Sequence, residues 1–537
     1  MSYQAAVTSP HHLATLAGEK IIAKGGNAVE ACIAVASALT VVYPHMTSLG
    51  GDGFWLIHQP GERPVALNAA GFSAKELSHA EFGQHMRGPK TALTTAGAVA
   101  GWHAASERYP GRLTLSDLFE SAISYAEQGF MVSESLHSAM VKLAAEYPHK
   151  DLLQVFYNQG KPFNTGELIT LPALAETYRR LAKNGLQDWY CGELAKENAK
   201  YLSERGSPIT FDDIESTQAG WFAPLVLDTA WGEFYNFGAP TQGGASLNIL
   251  GLLNKMITTE NKSDSFWQSI EGEEYALHHL IESIKIAFEW RNLYLNDSLA
   301  ATKEMQQRLS ETEINQQYHQ LASTAAPWPN PGPIGDTVWM GVVDSEGLAV
   351  SYIQSIYWEF GSGLVNPVTG VVWNNRSLGF STDPEHPNAI GPQRQPMHTL
   401  NPPMALLNDG TRLVYGTMGG EGQPQTQAAI IWRYLVQKTS LEQAIAAPRW
   451  LLGKTWGKAE DNLKLGESLF KRVGEKLRAR GHDLVSAPDM AEFFGHAGAI
   501  HIKSEQSLAA SDPRSDGKVI VVSNNNQPNN KHIKELY

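Results

Sequence analysis

One threonine stands in a setting that could make it a nucleophile. Pro333-Ile334-Gly335-Asp336-Thr337 closes a stretch that also holds Pro327, Pro329 and Pro331. Such a stretch cannot be helix or central strand and reads as an exposed linker. Val338 to Val343 after it is strand-like, so a turn feeding a buried strand is the plain reading of Gly-Asp-Thr alone. The residues downstream argue for more. A strand from Leu348 to Ser355 leads to Gly361-Ser362-Gly363, then Asn374-Asn375, a Pro-rich loop and Gly419-Gly420. A cut before Thr337 would free an α-amine, of reference pKa about 7.7–8.0, beside the residue's own hydroxyl. Base and nucleophile then arrive on one residue, and the β-methyl narrows the choices of χ1 that aim Oγ. No Ser-His-Asp triad and no metal-ligand spacing stands out elsewhere.

The chain that must hold this residue has 537 residues, 42% hydrophobic and 18% charged. That is an ordinary globular composition with material for a large core. A net charge of −13 argues against nucleic acid and anionic membranes as partners, since phosphate binding needs basic patches. Cys32 and Cys191 are too far apart in sequence for a zinc framework, and Cys32 reads as a small core residue. No metal and no cofactor is expected. Met1 to Thr8 has no basic stretch ahead of an apolar one, and Ala28 to Val42 is too short to span a bilayer. A cytoplasmic location is expected.

A strand over Ala5–Ser9 is followed by a helix over 11–24 that closes on Gly25-Gly26, and Asn27 N-caps a second helix, 28–41. Ser48 to Gly53 is a Gly-rich turn entering a strand, without the spacing of a nucleotide loop. Helices are predicted over 115–128, 134–145, 174–184 and 193–205. The Gly-rich turn Pro240–Ser246 should open a helix over 247–256, and 273–294 is amphipathic. Beyond Thr337 come strands with hairpin turns at Asp344–Gly347 and Asn408-Asp409-Gly410, and helices over 441–446 and 467–480. Helices first and strands second suggest α+β layers around one core.

Taken in order, these motifs resemble the γ-glutamyltranspeptidase family of N-terminal-nucleophile hydrolases. The likeness covers almost the whole chain. It rests on Gly25 to Ala31, Leu49 to Phe54, Gly243-Gly244 and Arg291 to Asp297 in the first part. In the second part it rests on Thr337, Val342-Val343-Asp344, Phe360 to Gly363, Asn374-Asn375, Met418-Gly419-Gly420, Pro448-Arg449 and Ser511 to Arg514. The resemblance implies an αββα four-layer sandwich and a proenzyme that cuts itself between Asp336 and Thr337. Residues 1–336 would form the large subunit and 337–537 the small one, interlocked as one globular unit; a dimer of such heterodimers is left open by the sequence. It also implies a supporting hydroxyl at Ser355 and an oxyanion hole at Gly419-Gly420, where backbone N–H groups meet developing negative charge.

The departures from the family pattern bear on the substrate. The acidic residue that meets a donor's α-amino group falls on Gly379, and the paired serines fall on His398-Thr399. Leu67 to Phe72 holds no arginine, and Tyr357 stands where the transpeptidases carry Asn. Arg376, Tyr357, His398 and Thr399 remain as substrate-binding candidates, and an arginine fork suits a carboxylate. The pattern looks most like the branch that hydrolyses oxamate to oxalate and ammonia in ureide breakdown. The expected function is hydrolysis of a small, carboxylate-bearing linear amide through an acyl-enzyme on Thr337. The alternatives are a γ-glutamyl hydrolase or transpeptidase acting on glutathione-like substrates, a cephalosporin-acylase-like amidase, and a relative that matures without catalysing anything.

Overall fold

A computed structural model describes residues 3–77, 83–328, 335–454, 462–504 and 506–522, with Asp336 described by its backbone only. Pro329, Pro331 and Pro333 of the linker lie outside them. Two antiparallel sheets stack face to face. The first runs, edge to edge, Lys518–Val521, Ala6–Ser9, Asp336–Val343, Ala349–Tyr357, Asp52–His58, Val65–Ala69 and Gly220–Phe222. The second runs Leu508–Ser511, Ala497–Ile502, Arg412–Thr417, Met404–Leu407, Gly232–Asn236 and Leu225–Thr229.

Three apolar layers arise from strand alternation. Phe54, Trp339, Ile353, Met404, Val414 and Ile500 fill the space between the sheets. Trp55, Val338, Met340, Val350 and Tyr352, on the opposite face of the first sheet, pack with helices that include Ala28–Val42 and Leu115–Gln128. The outer face of the second sheet, through Phe234, Leu413 and Tyr415, meets Gly243–Glu260, Ile270–Tyr294 and Glu467–Ala479. This is the expected αββα sandwich.

The first part is indeed the more helical and the second the more strand-rich, but the sheets are not divided between them. Ala6–Ser9 pairs with Asp336–Val343, and Gly232–Asn236 pairs with Met404–Leu407, so each sheet interleaves strands from both sides of Thr337. Asn27 does cap the second helix, in a capping box with Glu30. Gly243-Gly244 lies inside the first turn of its helix rather than in a turn ahead of it. No helix among the described residues is long and apolar enough to cross a membrane.

Candidate active site

Three adjacent strands of the first sheet end at one place. Thr337 is the second residue of one strand, Ser355 lies near the end of the next, and Asp52, paired with Ser355, begins the third. Alternation puts all three on the face of Trp339, Ile353 and Phe54, toward the second sheet. The ladder shifts register here. Asp336 pairs with Tyr357 but Val338 pairs with Gln354, which leaves one more residue on the Ser355 strand. A bulge of this kind re-aims side chains and is over-represented beside active sites. Tyr357, just past it, has φ +83, a conformation a non-glycine residue adopts at a cost of about 1–3 kcal/mol. Its N–H donates to Ser355 Oγ at 2.8 Å.

The second sheet contributes two loops opposite. His398-Thr399 precedes Met404–Leu407, and Gly419-Gly420 comes after Arg412–Thr417. Gly420 has φ +47, and a Cβ on it would lie 2.6 Å from the carbonyl oxygen of Gly335. A Cβ on Gly335 would in turn lie 3.2 Å from Thr399 Oγ1 and 3.7 Å from the Tyr357 ring. The segment entering Thr337 therefore lies across the residues predicted to handle substrate. Thr337 itself is 1% exposed.

Arg376, on a short turn just after Asn374-Asn375, is 1% exposed. Its guanidinium lies over the Tyr357 ring at 4.9 Å, and Nε is 3.4 Å from Asp52 Oδ2. That separation exceeds the 2.7–2.9 Å of a charge-assisted hydrogen bond. None of the three guanidinium nitrogens has a hydrogen-bond partner among the described residues. Burial raises the Asp52 carboxyl above its ordinary range, although Arg376 and the N–H groups of Gly71 and Gly97 pull it down. Burial likewise lowers Arg376, which Asp52 opposes, and arginine stays protonated under such shifts. The Tyr357 hydroxyl is pushed up by burial against the pull of Arg376.

His398 packs edge-on against Phe54 at 4.8 Å, and neither ring nitrogen has a hydrogen-bond partner among the described residues. Burial, with Arg376 second, holds its pKa well below the usual histidine value, so the ring is neutral. Its backbone is pinned between Pro240 O and the Gln242 N–H. Gly379 stands where the family's acidic residue would be. A Cβ there would lie 2.6 Å from Met397 O, so the local packing leaves no room for a carboxylate side chain. Leu67 to Phe72 offers no cation, but Gly71 N–H donates to Asp52 at 2.7 Å.

The predicted residues Thr337, Ser355, Tyr357, Arg376, Thr399 and Gly420, with Gly419 beside them, thus come together around the Gly335–Thr337 segment, and His398 is near enough for the charge of Arg376 to lower its pKa. Sequence reasoning leaves Asp52 unassigned, because Gly50 to Gly53 reads only as a turn. Its one signal is an acidic residue opening an otherwise apolar strand, which must find a partner once buried. Gln242, Arg291 and Glu421 are missed in the same way. A cavity of about 850 Å³ is a different space: Phe72, Thr95, Thr217, Phe237, Pro240 and Gln395 line it, and none of the predicted residues does. Phe237 packs on Phe54, which packs on His398, so aromatic side chains stand between the two spaces.

Among the described residues one group brings metal-ligating atoms together: His278, Glu282 and His482. Glu282 is already held by Lys285 at 2.7 Å and by the Ala326 N–H at 3.0 Å, and His278 bridges His482 and Ala322 O. These contacts seat the stretch Ala322–Ala326 that leads toward Thr337.

The turn Gly419-Gly420 is braced from behind. Arg449, paired with buried Asp512, donates to Phe494 O at 3.0 Å and Gly495 O at 2.6 Å, and Met418 N–H donates to His496 O. Glu492, next to this brace and mostly buried, has its pKa raised to about 7 by burial, with Glu359 and Asp516 adding to it. A carboxyl whose folded pKa is raised favours folding below its unfolded value, and that contribution is lost as pH rises through about 7. Glu492→Gln is therefore expected to gain about 1–2 kcal/mol over wild type at pH 8 and little at pH 4.5, after discounting for partial exposure. Thermal melts of both proteins across that range check it. An equal difference at the two pH values would contradict it.

A γ-glutamyltranspeptidase family model matches residues 14–522. The chain is 42% identical to the oxamate amidohydrolase proenzyme of Klebsiella pneumoniae, over 95% of this chain and 97% of that one. It is 36% identical to the glutathione hydrolase-like YwrD proenzyme of Bacillus subtilis, over 96% and 98%. Among solved structures, a cephalosporin acylase from Bacillus halodurans superposes with a TM-score of 0.86 at 26% identity, over 98% and 97% of the two chains. The chain belongs to the γ-glutamyltranspeptidase family.

Proposed function

We propose that this chain is a self-processing amidohydrolase, cut between Asp336 and Thr337, that hydrolyses a small carboxylate-bearing amide, with oxamate the best fit. The observation that carries this reading is Arg376: a buried guanidinium without hydrogen-bond partners among the described residues, over the Tyr357 ring that borders the segment entering Thr337. A buried cation with open donors is costly unless an anion completes it. Asp52 touches the Nε side, which leaves the two terminal nitrogens to take a carboxylate as a fork. A γ-glutamyl donor fits less well, because Gly379 offers nothing to its α-ammonium. The Klebsiella relative's name adds support of its own.

Maturation would begin with attack of Thr337 Oγ on the Asp336 carbonyl. The acyl group moves from N to O, and water then cleaves the ester to leave a free amine on Thr337. In turnover that amine takes the hydroxyl proton as Oγ attacks the amide carbon. The N–H groups of Gly419 and Gly420 receive the oxyanion. Collapse breaks the C–N bond, and the amine passes its proton to the departing nitrogen, which leaves as ammonia. Water, deprotonated by the same amine, releases the acid from Oγ. Ser355 supports the hydroxyl, while Arg376 and Thr399 orient the acid end beside neutral His398.

Ammonia release from oxamate, measured beside release from a γ-glutamyl anilide, tests the substrate. Oxamate is expected to turn over and the anilide to be at least about 100-fold slower in kcat/KM, the scale of losing one charged anchor. Strong anilide turnover with inert oxamate would reverse the assignment.

A further inference from the structure

We infer that Gln242 and Arg291 are positioning residues that aim the oxyanion turn and the substrate loop together. This inference rests on the reading that Gly419-Gly420 receives the oxyanion. Gln242 is fully buried at the start of helix Gly243–Glu260, and Arg291, 1% exposed, lies near the end of Ile270–Tyr294. The Gln242 amide nitrogen has two hydrogens and two acceptors, Gly420 O and Thr399 O, each at 2.8 Å. Its oxygen accepts from Arg291 Nη1 at 2.8 Å.

That last bond fixes which way the amide faces. A flipped amide would point its N–H groups at a guanidinium and its oxygen at two carbonyls, and neither end would then be satisfied. Arg291 also grips Glu421 Oε1 at 2.5 Å, with both side chains fully buried, while its face packs on Phe288 at 3.7 Å. Its Nε and Nη2 also donate to Asn292 Oδ1. The peptide joining Gly420 to Glu421 is thus held by its carbonyl through Gln242 and by the next side chain through Arg291.

Thr399 O takes a second hydrogen bond from Asn401 Nδ2 at 2.9 Å, but Gly420 O receives no other side-chain donor among the described residues. One amide therefore ties the turn at Gly420 to the loop that carries His398 and Thr399. If the chain is cut before Thr337, this tie joins the two products. Arg291 and Gln242 belong to the first, and Thr399, Gly420 and Glu421 to the second.

Gln242→Glu keeps the acceptor for Arg291 and replaces the two-donor nitrogen with an oxygen. In purified full-length protein it is expected to lower kcat for oxamate about 10–100-fold, less than direct loss of an oxyanion donor, with KM within about threefold of wild type. Conversion of the precursor to two chains should slow by a similar factor. A folded Gln242→Glu with wild-type kcat and wild-type cleavage would overturn the inference, as would a change confined to KM. If Gln242→Glu gives no soluble protein, Gln242→Met, of like length and without charge, carries the same expectations and the same refuting outcomes. The cleavage rate needs no added substrate. Inert oxamate with wild type would therefore refute the substrate assignment alone, and the cleavage comparison would still decide the role of Gln242.

Discussion

Thr337→Ala is expected to leave one chain of 58.8 kDa where the wild type yields two, with hydrolysis reduced on the order of 10⁵-fold. The effect is large because one oxygen serves both reactions: Oγ attacks the Asp336 carbonyl during maturation and the amide carbonyl during turnover. Ser355 Oγ is engaged by the Tyr357 N–H, and the bulge that aims Thr337 gives Ser355 a different position on the next strand. Thr337→Ser keeps the oxygen and the future amine but loses the methyl that restricts χ1, so it should still cleave, more slowly. A denaturing gel, sequencing of the new N-terminus and an ammonia assay read all three proteins. A Thr337→Ala protein that is cut before residue 337, or that hydrolyses amide at the wild-type rate, would end the mechanism.

The elements around this residue are unevenly legible in the sequence. Helices with one apolar stripe and a clear boundary signal, such as Leu115–Gln128 and Glu193–Arg205, can be read to the residue. Gly422–Ile431 cannot: it is buried on every side, with Gln423, Gln425 and Gln427 inside, so no stripe marks it. Sheet order is hidden for another reason. The pairing of Ala6–Ser9 with Asp336–Val343 joins distant parts of the chain, and nothing local to either strand specifies its partner. The sandwich itself is expected from the family resemblance rather than from periodicity.

The site shows the same division. Thr337 is legible because a single residue carries its chemistry. Arg376 and His398 have plain readings in sequence, a surface ion pair and a loop histidine, and only their place in the family pattern marks them. Burial takes Arg376 off the surface, and His398, which does lie on a loop, is fully buried there. Asp52 and Gln242 act through contacts to residues far along the chain, Arg376 in one case and Thr399 and Gly420 in the other. Such roles emerge only once the two sheets are stacked.

The pairing of Arg376 with Asp52 allows binding and stability to be separated. Arg376→Met should lower kcat/KM for oxamate about 10²–10³-fold, mainly through KM, since a fully buried guanidinium–carboxylate contact is removed. It should also destabilise the fold by about 3–5 kcal/mol, because Asp52 is left buried without its cation. With Arg376 gone, the pull that lowers Asp52 disappears, and its already raised carboxyl rises further. The destabilisation should therefore be slight near pH 4 and grow as pH climbs through the raised value. Adding Asp52→Asn removes the stranded charge, so the double variant should recover most of the stability at pH 8. It should recover none of the affinity for oxamate, because the fork is still missing. Urea melts at two pH values and initial rates on the four proteins of this cycle separate the effects. A double variant that binds oxamate as tightly as wild type would take the carboxylate away from Arg376, and one as unstable as Arg376→Met would show that Asp52 is not what the arginine offsets.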